Sequence, residues 1–175
     1  MRRFAPGLWI VVLVAGVLSG QTTEWKTIHS AEGNFTVQFP GDPQDTVNPS
    51  GNSMTSHILQ IQVKPAIYML VWSYIEQEQT VNDTSYEAFK SGFINKLPNC
   101  STDTDQPASP SFRGYIGHGY VLNCDYPQAK IKMKGNLYWG KHYSFAMMTA
   151  FAASVSEPTE VNKFIGSFAI ADLTK

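Results

Sequence analysis

The stretch 129-AKIKMKGNLYWGKHYSFAMMTAFA-152 decides the fold. Residues 129–139 and 142–152 are two strand-like runs, with Trp139-Gly140-Lys141 at the tip between them. Two apolar runs joined by so short a tip form an antiparallel hairpin, because a parallel return needs a crossover of a dozen residues or more. In 142–152 one face is large (Tyr143, Phe145, Met147, Phe151) and the other is small (Ser144, Ala146, Ala150). A small-residue face lets a helix backbone approach closely. The hairpin therefore belongs to a sheet with helices on both faces.

Working outward, a third strand is expected at about 115–124, before the hairpin. Residues 54–63 place His57, Leu59, Ile61 and Val63 on one face and Gln60 and Gln62 on the other. Pro65 breaks this run at a turn, and Ile67 to Ile75 follows with apolar residues on both faces. A strand without a polar face is covered on both sides and lies centrally in its sheet. Nearer the start, Trp25–His29 and Phe35–Phe39 are short strands around the turn at residues 30–34. In the second, Phe35, Val37 and Phe39 alternate with Thr36 and Gln38, the period of a half-buried strand. Pro40-Gly41-Asp42-Pro43 ends it, and a polar loop is expected from there to about Gly51.

Two helices complete the pattern. Thr84-Ser-Tyr-Glu87 matches a capping box, followed by Phe89, Phe93 and Leu97 on one stripe and a stop at Pro98. Ser154-Val-Ser-Glu157 matches a second box, with Pro158 in the first turn and a stripe of Val161, Phe164, Ile165 and Phe168. Residues 99–111 read as a Ser/Thr/Asp/Pro loop. The expected order is β-β-β-β-α-β-β-β-α, an α+β domain with an antiparallel sheet of about six or seven strands flanked by helices.

Composition narrows the function classes. The 175 residues are 43% hydrophobic and 13% aromatic, too rich in core-forming side chains for a disordered chain. Charged residues are only 15%, against about 25% in an average domain, and the net charge is −1. A nucleic-acid binder needs a cationic field to displace counterions, so that class is excluded. Ser, Thr, Asn and Gln fill the deficit.

Arg2 and Arg3 precede an uncharged run, Leu8 to Leu18, about half the length that crosses a bilayer. With Ser19 and Gly20 after it, the segment 1–20 reads as a secretory signal peptide, leaving 21–175 as a single domain. No stable membrane span is expected once it is removed. An exported product, periplasmic or extracellular, keeps Cys100 and Cys124 in an oxidising compartment that permits a disulfide. Two unpaired buried thiols are the alternative.

No catalytic motif stands out, and neither a catalytic residue, a cofactor nor a metal site is assigned. The four histidines are His29, His57, His118 and His142, without the spacing of a zinc site. His57 and His118 fall on apolar strand faces, where a hydrogen-bonded core histidine is the ordinary outcome. Gly114, Gly117 and Gly119 precede a strand rather than a helix, so they form no phosphate cradle. Their expected role is a bent strand facing a helix or ring. Glu76 and Glu78 share one side of a strand end. Lys130, Lys132 and Lys134 share one strand face, and with Lys141 nearby they form the densest positive surface. Such lysines act either as a docking patch for an acidic partner or as a solvated face that deters aggregation.

Three segments resemble a known family. Residues 32–43, EGNFTVQFPGDP, resemble the opening "GG-F-S-V-x-F-P-G-x-P" of small exported bacterial proteins. Residues 114–117 with 136–138 resemble their central strands, and Glu160–Phe168 resembles their closing "F-x-x-S-F" helix. Those proteins are similar to the PsbP-like fold, which includes the photosystem II extrinsic protein, a Ran-binding factor and bacterial periplasmic lipoproteins. The resemblance implies an α/β/α sandwich in a non-enzymatic accessory role, serving a protein partner in the envelope. Its motifs are structural and transfer no catalytic residue. Gln21 stands where lipid-anchored relatives carry cysteine. Two other classes stay open: a small metal-dependent or hydrolytic enzyme using His57 or His118, and a structural envelope component.

Overall fold

In the computed structural model, residues 24–49, 54–95 and 97–171 are described, and the segment 1–20 expected to be a leader lies outside them. The hairpin of residues 129–152 forms as its alternation demands. Strand β8 (Ala129–Trp139) pairs antiparallel with β9 (Tyr143–Ala152), from Ile131↔Ala152 to Trp139↔Ser144. β9 pairs on its other side with β5 (Ala66–Ile75), and β5 with β4 (Met54–Val63) across a tight turn at Lys64–Pro65. Beyond β8 lies β7 (Ile116–Tyr126).

Two segments read from sequence as loops are edge strands. β3 (Gln44–Pro49) pairs with β4, and β6 (Cys100–Pro107) pairs with β7. Neither shows an apolar alternation, because neither buries a face: β6 is exposed from Ser101 to Pro107, and β3 from Gln44 to Asn48. Backbone hydrogen bonds to the neighbouring strand hold such edges, and composition does not register them. The sheet is seven-stranded, in the order β3-β4-β5-β9-β8-β7-β6, and antiparallel throughout. β5 is interior, as its lack of a polar face requires.

A second, three-stranded sheet consists of β1 (Lys26–Ser30), β2 (Phe35–Phe39) and the short β10 (Ala169–Ile170). It packs with helix α2 (Thr159–Gly166) on one face of the large sheet, over Tyr68, Leu70, Trp72, Phe145 and Met147. The F-x-x-S-F sequence does this packing. The Phe164 ring lies 4.9 Å from that of Phe39, Phe168 lies 5.1 Å from Phe145, and Ser167 Oγ accepts the Gln38 N–H at 2.9 Å. Each such ring pair adds about 0.5–1.5 kcal/mol beyond its buried area.

Helix α1 (Asp83–Phe93) packs on the opposite, small-residue face, with Tyr86 and Ile94 among Leu122, Met133, Leu137 and Ala146. The architecture is thus α+β, with one helix on each face of an antiparallel sheet. The helix boundaries differ from the sequence expectation. The box that caps α1 is Asn82 with Ser85: Asn82 Oδ1 accepts the Ser85 N–H at 2.9 Å, and Ser85 Oγ accepts the Asn82 N–H at 3.2 Å. Thr84 is already inside the first turn. The helix ends at Ile94, one turn before Pro98. Pro158, not Ser154, precedes the first turn of α2, and no side chain caps it.

Candidate functional site

The layer of β1, β2, β10 and α2 covers only part of its face. Over β6, β7 and β8 that face stays open and polar, carrying Thr104, Gln106, Asn123, Lys132 and Lys134 at exposed or half-buried positions. Between these strands and the C-terminal half of α2 lies a cleft of about 340 Å³. Register decides which side chains enter it. A bulge between Thr102 and Thr104 re-phases β6, so that Thr104 and Gln106 face Val121 and Gly119 while Asp105 turns to the other side.

The lysine face is real and largely compensated. Lys134 Nζ donates to Glu157 Oε1 at 2.7 Å and to Asn162 Oδ1 at 2.9 Å. Lys130 lies 3.4 Å from Asp125. Among the described residues no carboxylate reaches Lys132. Lys141 sits apart from these three: the ladder puts it at the tip of the hairpin, where it meets Glu78 at 2.7 Å. From Lys134 to Trp139 alone the strand spans about 17 Å. The Lys141 ammonium holds the Glu78 carboxyl below its ordinary range, which suits an ion pair and not a proton donor.

Cys100 and Cys124 are disulfide-bonded, directly opposite each other on β6 and β7 with Cα atoms 4.0 Å apart. The neighbouring Asp125 N–H donates to the Asn99 carbonyl at 2.8 Å. The cysteines therefore occupy the close, non-hydrogen-bonded kind of cross-strand pair. The bridge fastens the exposed edge strand at its first residue.

The histidines are dispersed. His29, on β1, contacts Thr36 Oγ1 at 3.1 Å, and His142, at the hairpin tip, donates through Nδ1 to the Ile75 carbonyl at 3.1 Å. His57 is buried and stacked on Trp72 at 4.1 Å, with Glu32 and Asp45 carboxylates 3.8 and 3.7 Å from its ring nitrogens. No group of three or more metal-ligating side chains occurs among the described residues. Gly117 lies under the Tyr138 ring, as expected of a glycine facing a ring.

His118 has a partner that sequence reading did not find. Its Nδ1 donates to Asp105 Oδ1 at 2.6 Å, which leaves Nε2 as the free lone pair of the neutral ring. Asp105 Oδ2 meets Lys90 at 3.4 Å, and Lys90 meets Glu87 at 2.6 Å. Partial burial opposes ionisation of Asp105, but the His118 bond and the Lys90 charge outweigh it and keep the carboxyl below its usual range. The ring of Tyr86 stacks on His118 at 4.9 Å. A carboxylate-oriented imidazole can accept a proton or hold a metal through Nε2. Asp105 was hidden because its strand reads as loop, and a signal existed only in the antiparallel pairing that brings 105 beside 118.

The chain matches no protein-family model and no curated protein. No helix among the described residues is long and apolar enough to cross a membrane.

Proposed function

We propose that the protein is an exported, non-enzymatic binding or assembly-accessory module of PsbP-like type, acting on a protein partner in the cell envelope. The observation that carries this reading is the asymmetry of one sheet face. Over β4, β5 and β9 it is sealed by aromatic packing, while over β6, β7 and β8 it is open, polar and edged by Lys130, Lys132 and Lys134. The disulfide fits an oxidising compartment. The seven-stranded antiparallel sheet with a helix on each face fits the architecture that the resemblance implies. Crosslinking of tagged protein in native envelopes tests the reading. One partner should be recovered by the wild type and lost by the double variant K130E/K132E. Recovery of abundant background proteins alone, or equal capture by both, overturns it.

A second reading, a small hydrolytic or metal-dependent enzyme, rests on the Asp105–His118 pair at 2.6 Å. Metal content and hydrolysis of ester and phosphoester probes, compared between wild type and His118→Ala, decide it. No bound metal and no change in activity end this reading.

A further inference from the structure

We propose that the cleft between β6–β8 and α2 binds a neutral polyhydroxylated ligand, a mono- or disaccharide unit. Its volume of about 340 Å³ lies at the lower end of the roughly 300–1,000 Å³ typical of small-molecule sites. What marks it as a site is a polar side chain held in place before any ligand arrives. Asn136 is 5% exposed, and both protons of its amide are engaged: Nδ2 donates to the Ser109 carbonyl at 3.1 Å and to Tyr138 Oη at 2.9 Å. Those two bonds fix the amide plane and aim Oδ1 over Gly119. A Cβ at position 119 would come within 2.9 Å of that oxygen, so glycine keeps the acceptor uncovered on the cleft floor.

Around this acceptor stand neutral groups of both hydrogen-bonding senses. Asn162 gives its Oδ1 to Lys134, which leaves its Nδ2 as a donor at the wall. Thr104 and Gln106 line the opposite wall from β6. Lys134, the cation in the lining, already meets Glu157 at 2.7 Å, so an anionic ligand would have to compete with a carboxylate in place. Val121 and Ile165 supply apolar surface beside these groups. Hydroxyls both donate and accept, and amides offer both in fixed positions, so vicinal hydroxyls satisfy such a lining without charge. The apolar residues meet the C–H face of a pyranose ring. This inference goes beyond partner docking and does not depend on it, since the docking test reads Lys130 and Lys132 and the ligand test reads Asn162 and Gly119.

Titration of the disulfide-bonded protein, followed by amide NMR, tests it with four probes: maltose, N,N′-diacetylchitobiose, sodium glucuronate and trialanine. Each is raised to about 10 mM, where a 1 mM site is about 90% filled. At least one neutral disaccharide should shift the signals of Gln106, Gly119, Asn136 and Asn162. Asn162→Ala, on the exposed side of α2, should weaken that binding about five-fold or more, and Gly119→Ala should weaken it at least ten-fold. If Gly119→Ala does not fold, Asn162→Ala decides alone. Absence of shifts with both disaccharides, shifts away from the cleft, binding unchanged in Asn162→Ala, or stronger binding of glucuronate or trialanine overturns the proposal.

Discussion

Tyr86 of α1 and Tyr120 of β7 meet hydroxyl to hydroxyl at 2.7 Å, inside the layer where the helix crosses the sheet. Both residues are buried, at 1% and 2% exposure, and burial pushes both phenols far above their ordinary range. Removing one hydroxyl strands the other, which costs about 1–3 kcal/mol, whereas removing both leaves no orphan. Tyr86→Phe should therefore destabilise the protein by about 1–2 kcal/mol, and Tyr86→Phe/Tyr120→Phe by less than the sum of the two single changes. A double-mutant cycle in urea measures this, and strict additivity would contradict it.

Alkaline pH should unfold the protein through its tyrosines. Burial raises Tyr68, Tyr115 and Tyr138 from 10.0 to about 12. Between these values the unfolded chain has lost phenolic protons that the folded chain keeps. The folded state binds more protons there, so stability is fully present below pH 10 and declines as pH rises toward 12. Melting temperature should fall steadily across that window, with the tyrosinate absorbance of these buried residues appearing only as structure is lost, apart from what the exposed Tyr74 contributes. Tyrosinate absorbance amounting to all eight tyrosines at pH 10–11, in protein that stays folded, would refute the burial argument.

The disulfide should be detectable and worth keeping. Denatured, oxidised protein should show no free thiols, and reduced protein two. Cys100 and Cys124 are 24 positions apart, and closing a loop of that size stabilises by about 3 kcal/mol in the chain-entropy model. Reduction should lower the melting temperature by about 9 °C at roughly 3 °C per kcal/mol.

Capping of α1 can be assigned by substitution. Asn82→Ala removes the acceptor for the Ser85 N–H and should cost about 1 kcal/mol. Thr84→Ala should change stability by less than about 0.5 kcal/mol, because Thr84 caps nothing. The reverse order in denaturant melts would restore the sequence-derived box at Thr84.

Two glycines should respond oppositely to alanine. A Cβ on Gly135, in β8, would run into the Met147 carbonyl of the neighbouring strand and the Met148 sulfur, so Gly135→Ala should cost several kcal/mol or prevent folding. Nothing lies within 4 Å of a Cβ on Gly92 in α1, so Gly92→Ala should stabilise by about 0.5–1 kcal/mol. Thermal melts of the two variants separate steric from entropic roles.

Local pattern carried the parts of this fold that bury something. The alternation at Phe35, Val37 and Phe39, the doubly apolar run of β5 and the large and small faces of β9 each state a burial pattern, and each strand is buried accordingly. The edge strands β3 and β6 have no such pattern, since backbone pairing, and in β6 the disulfide and the Asp105–His118 bond, hold them without a buried apolar face. With β6 went Asp105, and with Asp105 the partner of His118.

By itself the sequence determined the α+β class, the central hairpin, the two helical stripes and a cysteine pair free to bridge. These follow from periodicity, which reports what each element must hide. Only the tertiary structure decided the register. Pairing brought Cys100 opposite Cys124, set Asp105 beside His118 and separated Lys141 from Lys130 and Lys134. It also placed Asn136 over Gly119 beneath α2. Which polar side chains meet leaves no period in a sequence, because it is set by which strand lies next to which.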